Sequence, residues 1–313
     1  MTVLSRRRFG VLACSGVAAM AVSRSGWGKT EDIAAGIQLY TVGGDVERDP
    51  AGTLKKLAQI GYKEVEIASL GKLPASQWRA LLEEAGLRAP SVHLPFGLAD
   101  TDKILGDAKA LGVEYACSSI LLPRPLEGVN SMEGFFKAFN AMSSAMTTDD
   151  FKQVAGKANE FGQKAKGLGL QYVYHNHNFE FRDLGHGATG YDMLLRETDP
   201  ALVKFEADTG WMRVAGADPA SLLGRFPERF AMLHIKDFKN LTKPVTIFNA
   251  PDGPVPTELG RGSVELKAVV EAGRKAGVKH MFVEQEPPFK EMTPLEAAAV
   301  DYTTLHGLLE QTA

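Results

Sequence analysis

Val203-Lys-Phe-Glu-Ala-Asp-Thr-Gly-Trp-Met212, with Phe230-Ala-Met-Leu-His-Ile-Lys-Asp-Phe238 beginning 27 residues later, is the stretch on which the fold turns. Over Val203–Asp208 and Leu233–Lys236 apolar and polar residues alternate, the period of a β-strand, whose successive side chains point to opposite faces. The interval is that of one strand plus a returning helix. Six more runs of this kind flank the pair: Ile37–Val42, Tyr62–Ala68, Ala89–Phe96, Tyr115–Leu122, Gln171–Phe181 and Lys279–Gln285. Helical patterns lie between them at Ala51–Ile60, Ala75–Ala85, Asp149–Leu168, Glu265–Ala276 and Pro294–Gln311. Gly61, Gly86, Gly112, Gly169 and Gly277 stand where a left-handed cap ends a helix. Eight such units predict an α/β fold, a single parallel (β/α)8 TIM barrel over residues 34–313. The competing arrangement, a doubly wound open sheet, lacks its Gly-rich phosphate turn after the first strand.

Composition agrees with one large soluble barrel: 313 residues, 44% hydrophobic and 23% charged. The formal net charge of −3 excludes a protein held to nucleic acid by phosphate contacts. Two cysteines exclude a disulfide framework and a Cys-rich zinc site. No apolar run reaches the length of a membrane span, so no membrane insertion is expected once the amino terminus is removed.

That amino terminus reads as an address. Ser5-Arg-Arg-Arg-Phe9 precedes a weakly apolar stretch and small residues, the pattern of a twin-arginine signal peptide over residues 1–29. The expected location is the periplasm, reached folded. Removing residues 1–29 takes away five basic residues and turns the charge of −3 into −8. It also leaves Cys117 as the sole cysteine, with nothing to pair with in an oxidising compartment.

Sorted by strand parity, the polar residues gather inside the barrel. Gln38 and Tyr40, Glu64 and Glu66, Ser91 and His93, His175 and His177, Glu206 and Asp208, His234 and Lys236, and Glu284 and Glu286 all take the inner face. They lie late in their strands, at the end where barrel enzymes place their chemistry. Burying so many ionisable groups unpaired costs several kcal/mol each, and a divalent cation would offset this. Imidazoles and carboxylates converging from strands 5 to 8 suit one mononuclear N/O site. A single inward histidine is more often a satisfied core residue; the coincidence across adjacent strands carries the metal reading.

The strings Gly36-Ile-Gln-Leu-Tyr-Thr, Gly61-Tyr-Lys-Glu-Val-Glu66, Tyr174-His-Asn-His-Asn-Phe-Glu-Phe181, Asp208-Thr-Gly-Trp211, His234-Ile-Lys-Asp237, Gly260-Arg-Gly262 and Val283-Glu-Gln-Glu286 resemble the sugar phosphate isomerase/epimerase family. That family has the xylose isomerase-like TIM barrel of the AP endonuclease family 2 superfamily. The resemblance implies one divalent metal ion, manganese first, with magnesium, cobalt or zinc as alternatives. Its ligands carry over to Asp208, His234 and Glu284, and to His175, where the family usually has Glu. That departure puts two-base epimerisation in doubt.

A metal chelating a sugar carbonyl and its neighbouring hydroxyl would acidify the adjacent C–H and stabilise an enediolate. Glu284 is the first candidate base and Glu66 the second, with Lys236 and His93 as donors. The alternative for Glu66 is a structural ion pair with Lys236. His177, Trp211 and Tyr40 are expected to bind substrate; the plain alternatives are a hydrogen-bonded supporting role for His177 and packing at the barrel mouth for Trp211. The expected function is a metal-dependent sugar or keto-sugar isomerase or epimerase. A lyase, dehydratase or hydratase on an oxidised (3-keto) sugar or glycoside is the alternative, and a non-catalytic periplasmic sugar-binding protein the alternative of another class. The partner is a small sugar, with self-association into a homo-oligomer left open and no nucleic acid. Two long insertions follow strands 4 and 7. Ser131–Met146, with apolar residues at near-helical spacing, is read as a helix over the substrate, or else as a packing helix or dimer contact; Asn240–Leu259 is read as an ordered rim loop.

Overall fold

Short runs of apolar residues, each ended by a turn or a helix cap, form ten strands in the computed structural model, which describes residues 33–312 except Gly128. They are β1 (Ala35–Gln38), β2 (Glu64–Ile67), β3 (Arg88–His93), β4 (Tyr115–Ser118), β5 (Gln171–His175), β6 (Val203–Asp208), β7 (Phe230–Ile235), β8 (Asp237–Lys239), β9 (Val255–Thr257) and β10 (His280–Val283). Eight close into a barrel in the order β1-β10-β7-β6-β5-β4-β3-β2, every pair parallel. The expected barrel is therefore present, while the signal peptide expected at residues 1–29 lies outside the described residues. Among the described residues no helix is long and apolar enough to cross a membrane.

The alternation read in the sequence sets the layers. Val65, Ile67, Val92, Leu233, Ile235 and Val283 face the helices and are wholly buried. Each such side chain contributes roughly 1.5–3 kcal/mol through burial. Inside, Cys117, Val173, Met232 and Phe282 form an apolar plug across the middle of the barrel. Gly36 is required beside it, because a Cβ there would stand 2.5 Å from the Phe282 ring. The polar residues lie above this plug, and register explains how they meet: Glu66 pairs with Gln38 and Ser91, Glu206 with His175, and His234 with Asp208.

Two strands end earlier than their apolar runs suggest. β6 stops at Asp208 because its Oδ1 accepts from the Trp211 backbone N–H at 2.8 Å, capping a helix over Thr209–Val214. β5 stops at His175, so His177 belongs to the loop that follows rather than to the strand.

Both insertions are ordered. The first contains a helix at Met132–Ala145, capped by Ser131, whose Oγ accepts from the Gly134 N–H at 3.0 Å. The second begins and ends in the antiparallel ribbon β8–β9. They meet at Phe248, whose ring lies 5.6 Å from Phe139 and whose carbonyl accepts from Asn140 Nδ2 at 3.0 Å. Asp237 anchors the ribbon by accepting from the backbone N–H groups of Gly260 and Gly262 through Oδ2, and of Val264 through Oδ1.

Candidate active site

Four side chains at the carboxyl ends of neighbouring strands, or just beyond them, supply one donor atom each within 4.8 Å of the others: His175, Asp208, His234 and Glu284. Asp208 Oδ2 lies 3.9 Å from His175 Nε2 and 3.9 Å from His234 Nδ1, and the latter is 2.9 Å from Glu284 Oε2. Three of the four are 0–2% exposed and Glu284 is 7% exposed. This places all four ligands expected from the resemblance at a single point.

Lys236 closes the group from above. Its Nζ is 2.9 Å from Asp208 Oδ2, 2.8 Å from Glu284 Oε2 and 2.6 Å from Glu286 Oε1. The approach to Asp208 is off the line of a hydrogen bond, so Oδ2 remains a buried oxygen with no donor. Burial opposes the charge on Lys236, but Asp208, Glu284 and Glu286 hold its ammonium well above the usual lysine range. Burial likewise opposes ionisation of Glu284, and Lys236 and His234 hold its carboxyl well below the usual range. The alternative reading of Glu66, an ion pair with Lys236, is not what the structure has: these three carboxylates take the ammonium.

Beneath lies a second tier. Glu206 Oε2 is 3.1 Å from His175 Nδ1 and 3.0 Å from His93 Nε2. Glu66 accepts from His234 Nε2 at 2.6 Å, Gln38 Nε2 at 2.7 Å and Ser91 Oγ at 2.6 Å. Both carboxylates are wholly buried. Each of the two histidines thus turns one ring nitrogen down to a carboxylate and the other up towards Asp208, the arrangement that orients imidazole ligands. His93 sits in this lower tier, its ring 5.3 Å from His175 and 5.7 Å from His234.

The residues expected to bind substrate ring the mouth. Trp211 donates from Nε1 to Glu286 Oε1 at 3.0 Å, and the Lys236 ammonium lies 5.3 Å from its ring centre. His177 stacks edge-on against Phe248 and His175, each at 4.9 Å, and its buried Nδ1 has no partner. Burial, with the neighbouring His175 and Lys236, holds that ring well below the usual imidazole range and so neutral. Glu180 fixes the His177 backbone by accepting from its N–H at 3.0 Å, and burial raises the Glu180 carboxyl to about 8. Tyr40 is half exposed; partial burial and the carboxylates of Glu286 and Glu284 raise its hydroxyl.

Glu206 and Glu286 were legible as inward-facing but had no assigned role; only the contacts to His175, Lys236 and Trp211 give them one. Phe248 carried no signal, being one aromatic residue in a proline-rich loop.

The group fits a divalent cation on its own chemistry. Two imidazoles and two carboxylates form an N/O donor set suited to manganese, cobalt or zinc. Five carboxylates (Glu66, Glu206, Asp208, Glu284 and Glu286) gather around one lysine, and Asp208 Oδ2 has its ion-pair contact with Lys236 but no hydrogen-bond donor. A cation there would relieve an excess of buried negative charge.

Comparison with known proteins agrees with this architecture. Residues 54–300 match the family described as the xylose isomerase-like TIM barrel. The chain is 28% identical over 209 residues to the inosose dehydratase of Mesomycoplasma hyopneumoniae (strain 7448), covering 63% of this chain and 65% of that one. It therefore spans just under two thirds of that relative's length. A sugar phosphate isomerase/epimerase from Parabacteroides distasonis ATCC 8503 superposes with a TM-score of 0.69 at 23% identity, over 92% of this chain and 96% of the other. A xylose isomerase-like TIM barrel protein from Mycobacterium smegmatis, in complex with magnesium, superposes with a TM-score of 0.60 at 15% identity, over 90% and 98%. At such identities the superpositions speak for the fold. With a closed parallel barrel and a sequence match along most of it, the chain belongs to the xylose isomerase-like TIM barrel family.

Proposed function

We propose that this chain is a metal-dependent enzyme that removes a proton beside the carbonyl of a sugar or oxidised sugar. The observation that carries the reading is the convergence of His175, Asp208, His234 and Glu284 around the undonated Asp208 Oδ2. These four would hold one divalent cation, manganese first. When bound, such an ion polarises a carbonyl oxygen and lowers the cost of charge developing next to it.

The chain's own groups divide the remaining work. Glu284 is the proton acceptor, because it is the one member of the four with appreciable exposure to the mouth and is held ionised by Lys236. Lys236 and His93 donate to substrate oxygens. Glu66 is a positioning group: its acceptors are taken by Gln38, Ser91 and His234, and it has no exposed surface for a substrate proton. Glu206 positions His175 in the same way. Trp211, His177 and Tyr40 line the approach.

Return of the proton to a neighbouring carbon makes an isomerase, and return from the other face an epimerase, the chemistry named in the Parabacteroides neighbour. A second reading is favoured by two specific features. His175 stands where related epimerases carry a second glutamate, and Glu66 is unavailable, so the far face of the sugar lacks a base. Elimination needs only one: the C–H proton goes to Glu284, the C–O bond β to the carbonyl breaks, and Lys236 or His93 protonates the departing oxygen. The relatives named inosose dehydratase fit this lyase outcome.

The test is incubation of the manganese-loaded protein in D₂O with a panel of aldoses, ketoses and 3-oxo-glycosides. Deuterium at a carbon beside the carbonyl is expected, with loss of water or alcohol marking the lyase and no mass loss the isomerase. Binding without deuterium uptake by any member would leave a sugar-binding protein and overturn the enzyme reading.

A further inference from the structure

A cleft beside this site has a chemistry of its own. A cavity of about 540 Å³ opens on the β2, β3 and β4 side of the mouth, a volume in the range of pockets for drug-sized ligands. Its one link to the ligand cluster is His93, which lines the cavity and lies 3.0 Å from Glu206. Away from His93 the walls are mainly apolar, with Leu94, Phe96, Leu98, Leu121, Val129 and Phe135 prominent and Ser69 and Ser119 among the polar exceptions.

Two cations also line the cavity, and both are hydrogen-bonded within the protein. Lys157 Nζ donates to the carbonyls of Leu122 and Pro123 at 3.1 and 2.8 Å. Arg124 donates to Asp150 at 3.0 Å.

The surface repeats the pattern. Among the described residues, the large hydrophobics left exposed are Tyr40, Leu98, Val129, Met132 and Ile247, and every one lies on a loop or insertion that follows a barrel strand at the mouth. The apolar surface is concentrated where the substrate must enter, and Leu98, 72% exposed, and Val129, 40% exposed, are themselves cleft walls.

We infer that the substrate is an oxidised (3-oxo) glycoside with a bulky apolar aglycone, the sugar reaching the cluster past His93 and the aglycone lying between Leu98, Val129 and Phe135. A phosphorylated or free monosaccharide leaves this surface unused. The inference rests on the proposed function, which places the sugar at His175, Asp208, His234 and Glu284.

Titration calorimetry on the metal-loaded protein tests it with paired 2-naphthyl and methyl 3-oxo-glycosides of glucose, galactose and xylose, and with glucose 6-phosphate. At least one naphthyl glycoside should bind about tenfold or more tighter than its methyl partner, as burial of the ring implies. Leu98→Glu and Val129→Glu, at exposed positions where folding is not at stake, should erase that preference. Equal affinities across all pairs, tighter binding of glucose 6-phosphate, or a preference that survives both variants would overturn the inference. So would a change of elution volume in Leu98→Glu, which would assign the surface to self-association. The two proposals fail separately: naphthyl preference without deuterium uptake sinks the chemistry, and uptake without the preference sinks the cleft.

Discussion

Both ends of the barrel interior hold a histidine–glutamate pair, yet only one end has the makings of a site. At the amino-terminal end, His280 Nδ1 is 2.7 Å from Glu64 Oε2, and Arg88 takes the other carboxylate oxygen. Every acceptor of that glutamate is used and its charge is matched. At the mouth, His234 and Glu284 are equally close, at 2.9 Å, but they share the space with Asp208, Glu286 and the two deep carboxylates. Acceptors there outnumber donors, and Asp208 Oδ2 and Glu206 Oε1 are buried without hydrogen-bond donors. The residue types are the same. The surplus of carboxylates over cations distinguishes a bridge from a site, because buried negative charge in excess persists only where something else neutralises it.

Substituting the matching glutamates breaks the comparison most directly. Glu284→Gln should lower deuterium uptake by about 10³-fold. Glu64→Gln should leave uptake unchanged and cost about 1–3 kcal/mol of stability, read by urea denaturation. Equal losses of activity in both would remove the distinction.

Glu206→Gln probes the tier below. It should weaken manganese binding about 10–100-fold in calorimetry, with kcat largely restored at saturating manganese. A kcat that stays low at saturation would make Glu206 more than a positioning group.

Chelation should spare the fold. The apolar plug and the buried strand–helix interface do not involve the ligands, so far-UV circular dichroism should be unchanged after dialysis against EDTA. Tm should fall by about 5–10 °C relative to protein with manganese well above its Kd. An unchanged Tm would argue against an ion at this cluster.

The smallest effect lies away from both ends. Burial raises the Asp301 carboxyl to about 7, although its Oδ1 accepts from the Leu259 N–H at 2.7 Å. The folded state therefore holds this proton more tightly than the unfolded chain, whose carboxyl titrates near 3.8. That contribution is complete below the lower value and is lost as pH rises through about 7. Asp301→Asn should flatten the decline, gaining stability on the parent between pH 5 and pH 8 in parallel denaturation curves. A parallel pair of pH profiles would place the burden elsewhere.

Much of this was readable beforehand. Strand alternation alone put Glu66, His93, Glu206, Asp208, His234 and Glu284 inside the barrel, since side-chain direction in a strand is a matter of counting. Length and spacing gave the eight units and the inserted helix at Met132–Ala145. Strand ends were less legible. Trp211 and Met212 are as apolar as strand residues, and only the cap from Asp208 turns them into helix. His177 shares the parity of His175, but β5 stops between them and the loop sets its direction.

The order of residues determined which side chains face inward and which strands neighbour one another, because both follow from a two-residue period and a repeating strand–helix unit. It did not determine their height in the barrel or their partners. Closure with a fixed stagger places His234 between Glu284 and Glu66, sets Lys236 among three carboxylates rather than on Glu66, and brings Phe248 over His177 from a loop with no periodicity. Those contacts join residues up to 168 positions apart, as His234 and Glu66 are. No local pattern encodes such a distance; it exists only once the sheet has closed.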